Sequence, residues 1–114
     1  DLGADAAQKY LNAGFDVVYQ DVMIGRALGE VVARIVARPL HVIVLCPDPK
    51  IVTLREAERV KTGYQGGFTP ENMHRTLLDE TPRIGLWLDN SHLNPEKTVD
   101  EILKRTSRGE GSIP

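Results

Sequence analysis

Three groups of residues in this sequence have side chains and spacing suited to chemistry on an anionic substrate. Arg55 and Arg59 are four apart, which puts both guanidinium groups on one helical face, and Lys61 follows just before Gly63. Three cations beside a glycine-bearing segment can close over a polyphosphate and neutralise charge that develops during group transfer. The same residues equally suit a solvated helix in which Arg55 and Arg59 pair with Glu56 and Glu58. Asp21 ends an apolar run, a position from which a carboxylate holds magnesium or accepts a hydroxyl proton in nucleotide enzymes, or simply closes a strand. Asp89, Asn90 and Ser91 end a later apolar run and form the third polar group. Tyr64 suits stacking on a ligand and packing of its own loop equally well. His41, His74 and His92 have no metal-ligand spacing among themselves, and the single cysteine, Cys46, adds none, so a zinc site is not expected. The 114 residues contain no Gly-x-Ser-x-Gly elbow and no phosphate loop of the form Gly-x-x-x-x-Gly-Lys-Ser/Thr.

Positioning these groups requires a scaffold, and the hydrophobic pattern predicts strands alternating with helices. Ala6, Ala7, Tyr10 and Leu11 recur at helical spacing before Gly14. Residues 15–22 are rich in β-formers and read as a buried strand. Leu28, Val31, Val32, Ile35 and Val36 form one face of a helix over 25–38, ended by Pro39. Residues 40–46 and 83–88 are two further strands, with Trp87 expected in the core. Pro47-Asp48-Pro49, Thr69-Pro70 and Asn94-Pro95 each place a capping side chain before a proline and so start helices over about 49–61, 69–80 and 94–103. Val99, Ile102 and Leu103 are expected to face inward on the last helix, and residues 109–114 to form a flexible tail. The alternation implies a parallel α/β sheet flanked by helices, whose ligands gather beyond the carboxyl ends of the strands. Three strands make a thin sheet, and an outer strand would leave an unpaired edge.

Composition narrows the function further. Fourteen Lys and Arg against sixteen Asp and Glu leave a net charge of −2, which offers no general attraction to nucleic acid or to an anionic membrane. An anion must therefore be held by locally clustered cations. The apolar runs are far shorter than the ~20 residues that span a bilayer, and the acidic start lacks the apolar core of a signal peptide. One cysteine fits a reducing, cytoplasmic setting. The absence of an initiator Met leads to the expectation that the chain begins inside a longer protein.

At residues 54–64 (Leu-Arg-Glu-Ala-Glu-Arg-Val-Lys-Thr-Gly-Tyr) and again at 81–89 (Thr-Pro-Arg-Ile-Gly-Leu-Trp-Leu-Asp), the chain resembles bacterial P-loop ATPases of the AAA type that act as phosphotransferases. It is similar to the chloramphenicol-phosphotransferase-like group and to small-molecule and polynucleotide kinases, from about Ala6 to Arg105. The resemblance implies a P-loop, nucleoside-kinase-like α/β fold over residues 1–108, truncated at its N-terminal side, with a lid over about 49–81. It implies ATP and Mg2+ as cofactors and a small hydroxyl-bearing acceptor as partner. Arg55, Arg59 and Lys61 would contact phosphates, Asp21 would lie near magnesium or the acceptor, and Asp89, Asn90 and Ser91 would flank the adenine. The family commonly has Asp-Thr-Ser where this chain has Asp89-Asn90-Ser91, and Asn94 replaces a usual Thr. Both changes keep the loop polar. The larger departure is the missing phosphate loop, whose backbone donors and lysine supply much of the ATP affinity. A non-catalytic nucleotide-binding module and a different doubly wound fold remain as alternatives, the latter giving no role to a cationic lid.

Overall fold

The structure of the chain, a computed structural model, describes residues 2–58 and 69–114. Among these residues five helices and a two-stranded sheet follow in the order α1 (Leu2–Asn12), α2 (Arg26–Arg34), β1 (Ile43–Leu45), α3 (Pro49–Ala57), α4 (Pro70–Glu80), β2 (Leu86–Leu88) and α5 (Pro95–Thr106). The two strands are parallel, with Ile43 opposite Leu86 and Leu45 opposite Leu88. Parallel pairing demands a long crossover, and α3 and α4 supply it.

The helix starts follow from local chemistry. The side chains of Asp48, Thr69 and Asn94 accept from the backbone N–H groups of Lys50, Asn72 and Lys97, and Pro49, Pro70 and Pro95 occupy the first turns. Each cap satisfies an amide that the helix itself leaves unpaired, and each proline gives up an N–H with no partner to lose. Helix α2 begins at Gly25, whose N–H donates to the buried Thr81 hydroxyl at 2.7 Å, tying α2 to the end of α4. It ends at Arg34 rather than at residue 38. Ile35 is already extended, and the Gln8 side chain of α1 accepts from the next two amides, Val36 and Ala37. Leu28, Val31 and Ile35 are buried as expected, whereas Val36, turned by this early stop, is 73% exposed.

Residues 15–22, expected as the first strand, are irregular. A β-rich run becomes a strand only beside a partner that takes its amides and carbonyls. Here β2 is the one described strand paired with β1, and Phe15, Val18 and Val22 are exposed. The other two strands are shorter than 40–46 and 83–88. Gly85 adopts a φ of 83°, which breaks the extended run just before β2.

The segment ahead of β1 pairs with the end of the chain. Val42 N–H donates to Gly111 O and Ile113 N–H to Leu40 O, both at 2.9 Å, and His41 bridges Ser112 in antiparallel fashion. The expected flexible tail, 109–114, is therefore pinned along residues 40–42. The Arg105 guanidinium bonded to Glu110 and the Arg38 Nε–H donated to Pro114 O reinforce it. Its hydrogen bonds from Arg105 hold the Glu110 carboxyl below the usual carboxylate range.

Ala4, Val31 and Ile35 form a small buried cluster against which Leu11, Met23 and Leu40 pack, and Leu86 and Leu88 are buried in the sheet. On α5 the buried residue is Thr98, while Val99 and Leu103 lie outward, contrary to expectation, because nothing described covers that side of the helix. Among the described residues no helix is long and apolar enough to cross a membrane.

Candidate functional site

Because β1 and β2 run side by side in one direction, their carboxyl ends deliver Cys46-Pro47-Asp48 and Asp89-Asn90-Ser91 to the same edge of the sheet. Cys46 N–H donates to Leu88 O at 2.9 Å, the last rung before the two loops begin. The loops are then tied through Ser91. Its hydroxyl oxygen accepts from Asp48 N–H at 2.8 Å, and the same hydroxyl donates to Asp89 Oδ1, which also accepts Ser91 N–H at 2.9 Å. The hydroxyl and then the amide of Ser91 hold the Asp89 carboxyl below its usual range, partial desolvation opposes them, and the nearby His92 and His74 add to the depression. Partial burial pushes the Cys46 thiol up and the Asp89 carboxylate raises it further, with Arg83 acting the other way.

Helix α3 starts at this edge, capped by Asp48, and returns Arg55 to it two turns later. The Arg55 Nη2 donates to three carbonyls of the following loop, Asn90 O at 3.0 Å, Ser91 O at 3.2 Å and Leu93 O at 3.1 Å. Among the described residues no carboxylate pairs with Arg55, so the ion pairs with Glu56 or Glu58 weighed above are not its arrangement. Its Nε and Nη1 have no hydrogen bond there either. The side chain is half-buried and oriented by carbonyl dipoles. Beside it Asn90 is 9% exposed, and its side-chain Oδ1 is buried without a donor. Such an acceptor costs about 1–3 kcal/mol of desolvation.

The structure thus brings Arg55, Asp89, Asn90 and Ser91 together. Asp21 shares no hydrogen bond with them; it lies on the irregular 15–24 segment, where the exposed carboxylate accepts from Val22 N–H at 2.7 Å and from the Tyr19 hydroxyl at 3.4 Å. Partial desolvation and then the Asp21 charge push the Tyr19 phenol up. Arg59 and Lys61, with Gly63 and Tyr64, lie outside the described residues. Trp87, expected in the core, is half-buried under the Arg83 guanidinium, 4.0 Å from the ring centre.

Among the described residues no group of three or more His, Cys, Asp or Glu is placed to hold a metal. A magnesium ion that arrives with a nucleotide needs only one or two carboxylates beside phosphate oxygens and waters. A cavity of about 520 Å³ lined by Gly25, Arg26, Glu30 and Glu80 and another of about 360 Å³ between residues 14–17 and 37–39 lie away from Arg55.

Two contributors to the strand-end cluster were not singled out from the sequence. The Leu93 carbonyl has no side-chain signature, and the imidazole of His74 becomes a neighbour of the cluster only through the α3–α4 crossover. Cys46-Pro47-Asp48, by contrast, is legible as the carboxyl end of a strand, where ligand-binding groups gather. Chemically, the arrangement offers an oriented guanidinium and two hydrogen-bonded polar loops at one sheet edge. No family model matches this chain, no curated protein matches its sequence, and no solved structure matches its fold.

Proposed function

We propose that this chain is part of an ATP-dependent phosphotransferase with a P-loop, nucleoside-kinase-like fold, moving the γ-phosphoryl group of Mg-ATP to a small hydroxyl-bearing acceptor. The observation that carries the proposal is the Arg55 guanidinium at the carboxyl end of a parallel strand pair, with Nε and Nη1 unspent beside the 89–91 loop. Arg55, Arg59 and Lys61 would grip the phosphates, and Asp89, Asn90 and Ser91 would flank the adenine. Asp21 would hold the magnesium or take the acceptor's hydroxyl proton. Magnesium, when bound, supplies charge neutralisation on the phosphate oxygens. The phosphate loop that this reaction needs would come from residues outside these 114, since the sequence contains none. The protein's own contribution is then alignment and charge placement, and such a reaction belongs where ATP is supplied, in the cytoplasm.

The test is phosphoryl transfer from ATP by the full-length protein. Arg55→Ala and Arg59→Ala should each lower turnover by ~10²-fold or more, as when a preoriented charge contact is removed. Wild-type turnover in both variants would sink the assignment. A second reading, a nucleotide-binding module without catalysis, is favoured by the engagement of Arg55 Nη2 with backbone carbonyls, a contact that needs no reaction to explain it. ATP binding without turnover would select it.

A further inference from the structure

We propose that the free edge of β1 docks a second copy of this chain, the two β1 strands pairing antiparallel about a two-fold axis at Ile43. The proposal goes beyond the phosphotransferase reading and does not rest on it.

The backbone decides which groups are available. Val42 and Cys46 bond toward β2, so Ile43 and Leu45 turn their N–H and C=O groups to the opposite side. His41 does the same. It stands across from Ser112 between two backbone bonds, Val42 N–H to Gly111 O and Ile113 N–H to Leu40 O, and exchanges none of its own in that pair. Among the described residues no strand lies on the open side. Strands that remain at an edge are commonly blunted by charge, proline or a bulge. Residues 40–46 contain no Asp, Glu, Lys, Arg, Pro or Gly, so nothing in their chemistry opposes pairing.

Two prolines select the register. Residues that face each other in an antiparallel pair exchange both backbone bonds or neither. With the axis at Ile43, the open residues meet only one another: Ile43 meets the partner's Ile43, and His41 meets the partner's Leu45. Moving the axis to Val42 would set Leu45 against Pro39, and moving it to Val44 would set His41 against Pro47. Neither proline has an N–H to give. Pro39 and Pro47 lie equally far from Ile43, so the strand is matched to its own reversed copy. The same register sets Val42 beside the partner's Val44, a favourable β-branched pair. The area is sufficient as well. The chain exposes 8141 Å², about 1,900 Å² more than a folded monomer of its length. A stable interface covers about 800 Å² on each partner. Part of the excess adjoins this edge, since Leu45 is exposed on the strand and Phe15 shares a cavity with residues 37–39 at its amino end.

The experiment is sedimentation and cross-linking of the 114-residue chain and of the full-length protein. Both should sediment as dimers that dissociate on dilution, without larger species, because a two-fold contact closes on itself. Ile43→Pro should be monomeric: it removes an open-side N–H and breaks no bond to β2. Leu40→Cys should convert to a covalent dimer under mild oxidation, because residue 40 then stands opposite the partner's native Cys46. Within one chain the two positions are about 20 Å apart along the strand and cannot bridge. Wild type should form no covalent dimer. Monomers at all concentrations, dimers that survive Ile43→Pro, or dimers of Leu40→Cys that do not cross-link would each overturn the proposal. Open-ended aggregation would overturn it too, by assigning association to the exposed apolar surface. Where a variant does not fold, amide exchange in wild type decides: His41, Ile43 and Leu45 should exchange more slowly in concentrated than in dilute protein, and equal rates overturn the pairing. A monomeric full-length protein with these amides protected would mean that another of its own segments covers the edge, and would overturn the proposal.

Discussion

Asp89 shows how a single residue makes the strand-end loop sensitive to pH. Its carboxylate accepts both the hydroxyl and the amide of Ser91, and both contacts favour the charged form. Its pKa in the folded protein therefore lies below the value of about 3.9 expected of an unfolded aspartate. The contribution is complete at pH values above that unfolded value and is lost as the pH falls through the lower, folded one. Acid titration of wild type should show loop loosening in this window, read as faster exchange at Ser91 or as a change in Trp87 fluorescence. Asp89→Asn should flatten the titration there, because its amide has no proton to gain. A variant that retains the wild-type acid response would place the titrating group elsewhere.

At the scale of the elements, two glycines allow the backbone to crowd around Val42. Gly85 has a φ of 83° and Gly111 one of 80°, and a Cβ on either would strike the Val42 carbonyl. That carbonyl accepts Leu86 N–H at 2.8 Å and so sets the first rung of the parallel pair. Gly85→Ala should cost more than about 2 kcal/mol, combining a left-handed conformation with a backbone clash. Gly14→Ala, with a φ of 95° and open space around it, should cost only about 1–2 kcal/mol from conformation. Urea midpoints of the two variants measure the difference, and equal midpoints would remove the clash from the account. The same elements show what a sequence can and cannot disclose. The helix starts at Asp48, Thr69 and Asn94 were legible because a cap and its proline are neighbours in the chain. Strand extent was not, since residues 15–22 have the composition of a strand but no described partner, and residues 40–42 found theirs in the chain's end. The meeting of Asp48 with Ser91 followed from parallel pairing. The anchoring of Arg55 did not, because its targets are backbone carbonyls, which every residue type carries.

For the whole molecule the decisive quantity is the surface left uncovered. A folded monomer of this length exposes about 6,200 Å², and this chain exposes 8141 Å². The excess includes large apolar side chains, among them Val18 at 98%, Leu2 at 90%, Val36 at 73% and Leu103 at 62% exposure, while among the described residues no large side chain is fully buried. The sheet adds to it. In a parallel ladder successive residues face opposite sides, so with Val42 and Cys46 bonded toward β2, the amides and carbonyls of Ile43 and Leu45 point to the open side of β1. An open edge beside exposed apolar surface is poorly held against fluctuation and prone to pair with other chains. The 114-residue chain should therefore bind a dye such as ANS in the absence of denaturant and unfold over a broad temperature range. A well-packed domain of this length would instead melt sharply with an unfolding enthalpy of about 80 kcal/mol. Calorimetry on the isolated chain separates the two cases. A sharp transition near that enthalpy, without dye binding, would show that the small cluster around Ala4, Val31 and Ile35 suffices and that the exposed surface needs no cover.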